Sequence, residues 1–486
     1  MMRAIVFLGG CMLLLSQFQV TDGLYGGIDI SNYFALLLGA MVAIVCLVKA
    51  PKALYRGDAM VFVLFVYLLI HASLTHAMQS REFYLSISYF ALYAVFRVIK
   101  GLRLANYMTF AVMLCGIYQS CLVLGQLLGY EASNHLRFVV TGSFFNPGPC
   151  GIFLAGVFVL AVAMMKKGYR KVGFNLMFVR YVTACVTFGV TLVALVPTMS
   201  RAGWIGALVG VMLLYRREIV AWGNTRRRWV IGGGIVGMIV VLMLFYLLKK
   251  DSANGRLFIW QNTVSAYWKT PLFGVGIDGF ERAFAEAQHD YFEKEKVLEQ
   301  DNRHVEMAGV VESAFNEPLA LFLLLGAVGG VLTAMVLFFK LQRLTAYSCV
   351  AVALLVASFF SYTFYIPSIA IVFLFAVAQL PDRRVRGGRY VNVLMFGIMG
   401  IVVLFFDFRE FGRREAYRKW KNNAVYYTCP NRVYPLYLLT KLEAERGDTT
   451  MMNYYGRILL GKRPKVPSLA VDEMKFEIRK MLDVKL

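Results

Sequence analysis

The sequence predicts an all-α polytopic membrane protein with about 12–13 transmembrane helices, a large outward loop and a small helical tail. Three observations predict the membrane fold. The chain is 59% hydrophobic with a mean hydropathy of +0.61, against about 45–50% apolar residues in soluble domains. The apolar residues lie in blocks of about 15–25 with almost no charge, the length a helix needs to cross a bilayer. These blocks do not alternate, which excludes a barrel, and Lys and Arg gather in every second connection between them. The formal charge of +22 is therefore a topological signal. No basic stripe is interleaved with aromatics, so no nucleic-acid partner is expected.

Four regions follow along the chain: an N-terminal bundle (1–248), a large loop with an amphipathic helix (249–315), a second group of spans (316–406) and a tail (407–486). Residues 4–20 are apolar but lack a small-x-small cleavage pattern, so they form a first span. Further spans are expected at about 31–49, 58–76, 83–99, 104–128, 147–165, 181–199, 202–215, 229–248, 316–339, 345–364, 366–380 and 390–406. Basic clusters after the even-numbered spans include Lys49, Arg97, Lys166, Arg226, Lys340 and Arg383. They place those loops in the cytoplasm. The loops near 21–30, 77–82, 129–146, 197–201, 249–315 and 365 then face outward, as does the tail. In the tail apolar residues recur at helical spacing. Gly447-Asp448 joins two such helices, giving about two hairpins of degenerate tetratricopeptide type. Two are fewer than the roughly three that an independent solenoid needs.

The eight cysteines are scattered and form no C-x-x-C pair, so neither a metal nor a redox cofactor is expected. All five histidines fall on or near outward connections. The polar residues that call for a reason lie on that side too. Asn146-Pro147 opens a span, where Asn146 either caps the helix or belongs to an anion site. Arg201 follows Ser200 at the outer end of a span, against the positive-inside preference. It either snorkels to headgroups or grips a phosphate bidentately. Arg256 and Trp260 share a helix face that ends at Thr270-Pro271. Gly274-Val275-Gly276-Ile277-Asp278-Gly279 spells a dinucleotide-type string, but no strand precedes it. A tight turn close to the bundle is the better reading. Phe280, Phe284 and Tyr291 line one face of an acid-rich amphipathic helix. Glu312, Asn316 and Glu317 stand at the head of the next span beside Pro318. Capping by Asn316 and a role in a site are both open there.

Read in order, Gly-Ser-Phe-Phe-Asn-Pro, Ser-Arg-Ala-Gly-Trp, Gly-Arg-x-x-x-Trp, Pro-Leu-Phe-Gly-Val-Gly and Ala-Phe-Asn-Glu resemble the bacterial O-antigen ligase and O-antigen polymerase superfamily. The resemblance covers roughly residues 140–345. It implies a glycosyltransferase of the inner membrane that acts at the periplasmic face, in lipopolysaccharide or other polysaccharide biosynthesis. The implied donor is a glycan on undecaprenyl pyrophosphate. The implied acceptor is a lipid A core, a growing glycan or a protein hydroxyl. Arg201 and Arg256 match the family's pyrophosphate-binding arginines. The ligase branch has a His-Asn pair where this chain has Phe315-Asn316. The resemblance therefore leaves the base to Glu317 or Glu312, with His304 as a more distant candidate. Because pyrophosphate is already a good leaving group, the chemistry needs no metal. The rival class is a lipid or polysaccharide transporter, for which neither a midspan carboxylate nor an internal two-fold repeat is found.

Overall fold

The computed structural model describes residues 2–17, 36–39, 41, 54–78, 80–101, 104–135, 138–167, 176–223, 250–295, 311–385 and 389–419. In the tail it describes 437, 440, 441, 443–445, 447–461 and 476–482. The spans expected at 31–49 (apart from a short helical piece) and 229–248 lie outside the described residues. No strand occurs among the described residues, only an isolated bridge between Tyr55 and Arg384.

The helices are α1 (Met2–Leu15), α2 (Arg56–Leu74), α3 (Arg81–Gly101), α4 (Ala105–Leu127), α5 (Pro147–Lys166), α6 (Leu176–Leu195), α7 (Arg201–Leu214) and α8 (Arg216–Gly223). They continue as α9 (Lys250–Lys269), α10 (Phe280–Glu295), α11 (Glu317–Lys340), α12 (Ala346–Ser358), α13 (Pro367–Ala378), α14 (Arg389–Lys419) and α15 (Thr449–Gly461). Seven of them are long and apolar enough to cross a membrane: α2–α6, α11 and α14. α7, α12 and α13 are shorter apolar helices. The fold is all-α and polytopic, as the hydropathy predicts.

The bundle centres on α5, buried from Pro149 to Met164 except at Phe158 and packed between α4, α6, α7 and α12. Lipid tails are as apolar as leucine, so close packing must hold such helices together. Small residues allow it here. A side chain at Gly203 would lie 2.5 Å from the Gly151 carbonyl, and one at Gly206 2.5 Å from that of Ala353. α7 is thereby pressed onto α5 and α12, which fixes where its first residue, Arg201, stands. A second group pairs α11 with α2, and α13 and α14 with α3.

At one end of the bundle lies a buried ion network. Asp58 accepts from Arg97 (2.7 and 3.1 Å), Lys340 (2.7 Å) and the Tyr93 hydroxyl (2.5 Å). Lys340 also bonds Asp382 at 2.7 Å, and Asp382 accepts from the Gly57 amide at 3.0 Å. Arg97 donates to the Ala378 carbonyl at 3.1 Å. Two acids and two bases cancel inside a nearly solvent-free site. Arg97 and Lys340 had counted as loop charges marking the basic side. They are instead the paired, buried ends of α3 and α11. Hydropathy reports charge along the chain, not that Lys340 meets Asp58, 282 residues away.

α11 is not continuous. Gly326 has φ 67° and ψ −174°, a conformation essentially confined to glycine, and it breaks the helix. The break is filled by the segment 271–276. Val275 and Gly276 donate to the Leu323 and Leu324 carbonyls at 3.0 and 3.1 Å, while Ala327 and Val328 donate to Pro271 and Leu272 at 2.8 and 3.2 Å. From α2, Tyr67 donates to the Leu325 carbonyl at 2.6 Å, and the His71 ring bonds the Phe273 carbonyl at 2.7 Å. The Gly274–Gly279 string is thus a turn, as its composition predicts. It does not merely approach the bundle: its backbone enters a membrane helix. Irregular backbone is tolerated at that depth only where protein satisfies it, and here it does.

Two boundaries differ from the hydropathy reading. The span expected at 345–364 ends as a helix at Ser358, leaving an eight-residue connection, 359–366, before Pro367 opens α13. α14 runs unbroken from the last span to Lys419, so the change of composition at 407 is not a break in the backbone. In the tail, Gly447 (φ 76°) makes the predicted turn, and Asp448 caps α15 through the Met451 amide at 3.0 Å. Tyr455 and Leu459 of α15 pack against Ile478.

Candidate active site

The opposite end of the bundle gathers the starts of α3, α5, α7, α11 and α13. Three non-glycine residues there have positive φ: His76 (57°), Met199 (47°) and Phe315 (50°). This is uncommon for bulky residues, and such strain persists where surrounding structure imposes it. Each one precedes a helix start that carries charge. Met199 leads into Ser200-Arg201, Phe315 into Asn316-Glu317, and His76 into the connection before Arg81-Glu82.

Arg201 follows a double anchor. The Ser200 hydroxyl accepts from Gly203 N at 3.3 Å and donates to the Gly148 carbonyl of α5 at 3.0 Å. Arg256 comes from α9, which packs on α10 and α11. One turn further, Trp260 donates to the Ala314 carbonyl at 2.9 Å, tying the 311–317 segment to α9. The shared face predicted for Arg256 and Trp260 serves this purpose. Arg256 donates to the Phe360 carbonyl at 2.7 Å, and its guanidinium lies 5.4 Å from the centre of the Phe315 ring. The same ring meets Tyr362 edge-on at 5.4 Å.

Charge at this end is arranged unlike the neutral network at the other. Burial first, and Arg201 second, lower the pKa of Arg256 from its ordinary value, while Tyr362 opposes the shift. An arginine stays protonated through such a shift. The finding is therefore two cations near enough to repel, one of them bonded to a carbonyl and resting on an aromatic ring. Such a pair gains most from an anion that takes both guanidinium forks. Tyr362 lies in the same field. Burial raises its phenol above the ordinary value, Arg256 acts against this, and Glu312 acts with it.

The connection 359–366 is held along its length over this end. Phe360 is held by Arg256. The Phe364 amide donates to Glu317 Oε1 at 2.9 Å, and the Tyr89 hydroxyl donates to the Phe364 carbonyl at 3.0 Å. Arg81 hydrogen-bonds the Tyr365 hydroxyl and lies 4.2 Å from that ring's centre, and Tyr365 donates to Glu82 at 3.3 Å.

Of the residues singled out in the sequence, Arg201, Arg256, Glu312, Asn316 and Glu317 come to this one end. Asn316 Oδ1 accepts from Leu319 N at 3.0 Å, which is a helix cap with Pro318 in the first turn. Asn146 Oδ1 accepts from Gly148 N at 2.8 Å, again a cap. Glu317 faces the 359–366 connection, and Glu312 is exposed beside Tyr362. His304 lies outside the described residues. Sequence reasoning passed over Arg81, Tyr89, Tyr362 and Tyr365. Their available signal was the polar-aromatic run Ser361-Tyr362-Thr363-Phe364-Tyr365, absorbed into a span by its hydropathy.

No curated protein matched the chain. Residues 186–334 match the model of the O-antigen ligase family. The matched stretch is under a third of the chain. It contains Arg201, Arg256, Glu312, Asn316 and Glu317, together with the broken helix at Gly326 and the segment that fills it. Over that stretch this multi-pass membrane protein is similar to the O-antigen ligase family.

Proposed function

We propose that the protein is a GT-C-type glycosyltransferase that moves a glycan from undecaprenyl pyrophosphate to an acceptor hydroxyl at the periplasmic face of the bacterial inner membrane. The observation that carries this reading is the Arg201–Arg256 pair. The two half-buried guanidinium groups act on one another at the end of the bundle where α7 and α11 begin. As the sugar C1–O bond breaks, negative charge grows on the departing pyrophosphate. Fixed cations in a site shielded from water stabilise that charge without reorganising. The acceptor oxygen forms the new bond to C1, and its proton passes to a carboxylate. Glu312, exposed and acting on Tyr362, and Glu317, whose Oε1 accepts from Phe364 N, are the carboxylates at this end. Activation by such a base contributes about 10²–10⁴-fold. The donor carries its own energy, so neither a nucleotide nor a metal is required.

The test uses the full chain reconstituted in bilayers with an undecaprenyl-pyrophosphate-linked glycan. Arg256→Ala and Arg201→Ala should each lower kcat/KM by about 10²–10³, the weight of one charge-stabilising group, while the protein stays inserted. Undiminished transfer by both variants would refute the assignment. Lipopolysaccharide and glycoprotein profiles of a deletion strain, with assay of accumulated lipid-linked glycan, distinguish a lipid A core ligase from a polymerase or a protein O-oligosaccharyltransferase.

The break in α11 bears on the transporter alternative, because discontinuous membrane helices are common in carriers. In carriers the unwound backbone lines a substrate cavity. Here the backbone groups at Gly326 are taken up by residues 271–276 and by Tyr67. That favours a fixed scaffold over a moving one.

A further inference from the structure

We propose that Tyr362 is a third pyrophosphate-binding group, its hydroxyl donating a hydrogen bond to a phosphate oxygen held by Arg256. The inference rests on the proposed donor, a polyprenyl pyrophosphate.

The argument begins with Phe315. This residue is held at φ 50°, where a bulky side chain is rarely found. What the strained backbone achieves is the placement of one ring against two head groups. The Arg256 guanidinium lies 5.4 Å from the ring centre, and the Tyr362 ring meets Phe315 edge-on at 5.4 Å and 71°. Tyr362 is also fixed by its own backbone. The connection that carries it is pinned at Phe360 by Arg256, at Phe364 by Glu317 and Tyr89, and at Tyr365 by Arg81. A residue flanked by this many anchors has little freedom left to lose on binding, so its hydroxyl contributes nearly its full strength.

The chemistry of the hydroxyl fits the place. Burial holds the phenol above its ordinary value, so at neutral pH it carries its proton and can donate. A neutral donor beside two cations has a specific use. A diphosphate has more oxygens than two guanidinium forks engage, and a phenol adds a bond without more charge repulsion. Glu312, whose charge reaches Tyr362 from the exposed side, makes ionisation of the phenol costlier still. Arg201, Arg256 and Tyr362 come from α7, α9 and the 359–366 connection, three separate parts of the chain. A diphosphate bridging them would report that all three are docked.

The experiment measures binding of undecaprenyl pyrophosphate to the full chain in lipid nanodiscs, with melting temperature recorded for each variant. Tyr362→Phe removes the hydroxyl and keeps the ring on Phe315. It should weaken binding about tenfold, the weight of one hydrogen bond to a charged oxygen, at unchanged melting temperature. Phe315→Leu keeps the hydroxyl and removes its shelf, and should weaken binding as well. If Arg256→Ala weakens binding while Tyr362→Phe leaves it within twofold, this inference is wrong and the proposed function stands. If neither Arg201→Ala nor Arg256→Ala weakens binding, the proposed function itself fails. A loss of affinity in Tyr362→Phe that is matched by a fall in melting temperature makes the hydroxyl structural and overturns the assignment.

Discussion

Substitution of Gly326 by alanine isolates the feature that joins the large loop to the membrane helices. Two costs arise. At φ 67° and ψ −174° an alanine occupies backbone space open essentially to glycine alone, which costs about 1–3 kcal/mol. Its methyl group would also lie 2.2 Å from the Leu272 carbonyl, which cannot retreat as a flexible side-chain tip would. Relief requires residues 271–276 to withdraw. Withdrawal breaks the bonds made by Val275, Gly276, Ala327 and Val328 and uncovers the carbonyls of Leu323 and Leu324. Those lost bonds oppose withdrawal in the parent and the variant alike, whereas the steric overlap adds about 1–3 kcal/mol to the docked state of the variant alone. Strain and overlap together come to about 3 kcal/mol, or roughly two orders of magnitude in the ratio of undocked to docked molecules. Native-state proteolysis reads this ratio directly when opening and closing are fast relative to cleavage. Gly326→Ala should raise the cleavage rate within 270–280 by about that factor. Gly189→Ala, a helical glycine with nothing within 4 Å of the added methyl, should leave it unchanged. Equal protease resistance in Gly326→Ala and the parent protein would refute the claim that this insertion holds the loop to the bundle.

Other perturbations have expected outcomes of their own. Lys340→Met leaves Asp58 and Asp382 facing a single cation in a dry site and should destabilise the protein by about 3–5 kcal/mol. Adding Asp382→Asn restores neutrality and should recover much of the loss, measured as the detergent-solubilised melting temperature. Asn316→Ala removes the α11 cap and should cost about 0.5–2 kcal/mol of stability without the loss of transfer expected for Arg256→Ala. Tyr362 is raised above its ordinary value of 10.0, so it stays neutral below that pH in the folded and unfolded chain alike. Its ionisation therefore leaves activity and stability untouched up to about pH 10. Stability falls only beyond it, because the unfolded chain gives up the proton first. An alkaline loss of activity below pH 10 that disappears in Tyr362→Phe would contradict this.

What the sequence disclosed follows from how local the signal was. Spans such as 147–165 and 316–339 are written in consecutive apolar residues, and α5 and α11 lie where these fall. The turn at 274–279 was legible from its glycines, and the shared face of Arg256 and Trp260 from their spacing. Contacts between distant segments were not legible. Nothing near Leu324-Leu325-Gly326 announces that Pro271–Gly276 will enter the helix there. Nothing near Lys340 names Asp58 as its partner. Tyr362 escaped because an apolar average over 345–364 concealed the end of α12 at Ser358. A run of Ser, Tyr and Thr just before Pro367 was the clue. A proline at a helix start marks the true boundary better than hydropathy does.

The two ends of the bundle handle charge in opposite ways, and this bears on how variants should sort. At the end holding Asp58, the two acids and two bases of the network each have a partner within 3.1 Å. Loss of any member leaves a buried charge exposed to apolar surroundings, so the damage appears as less folded protein. At the end holding Arg201 and Arg256, the charge of one arginine acts on the other, backbone strain is concentrated at Met199 and Phe315, and a connection is strapped down by four side chains. Arg256→Ala relieves the repulsion with Arg201 but frees the Phe360 carbonyl, so the melting temperature of the ligand-free protein should fall far less than for Lys340→Met while transfer collapses. A variant set in which both ends lower melting temperature equally would deny the division, because it would make the arginine pair one more structural contact.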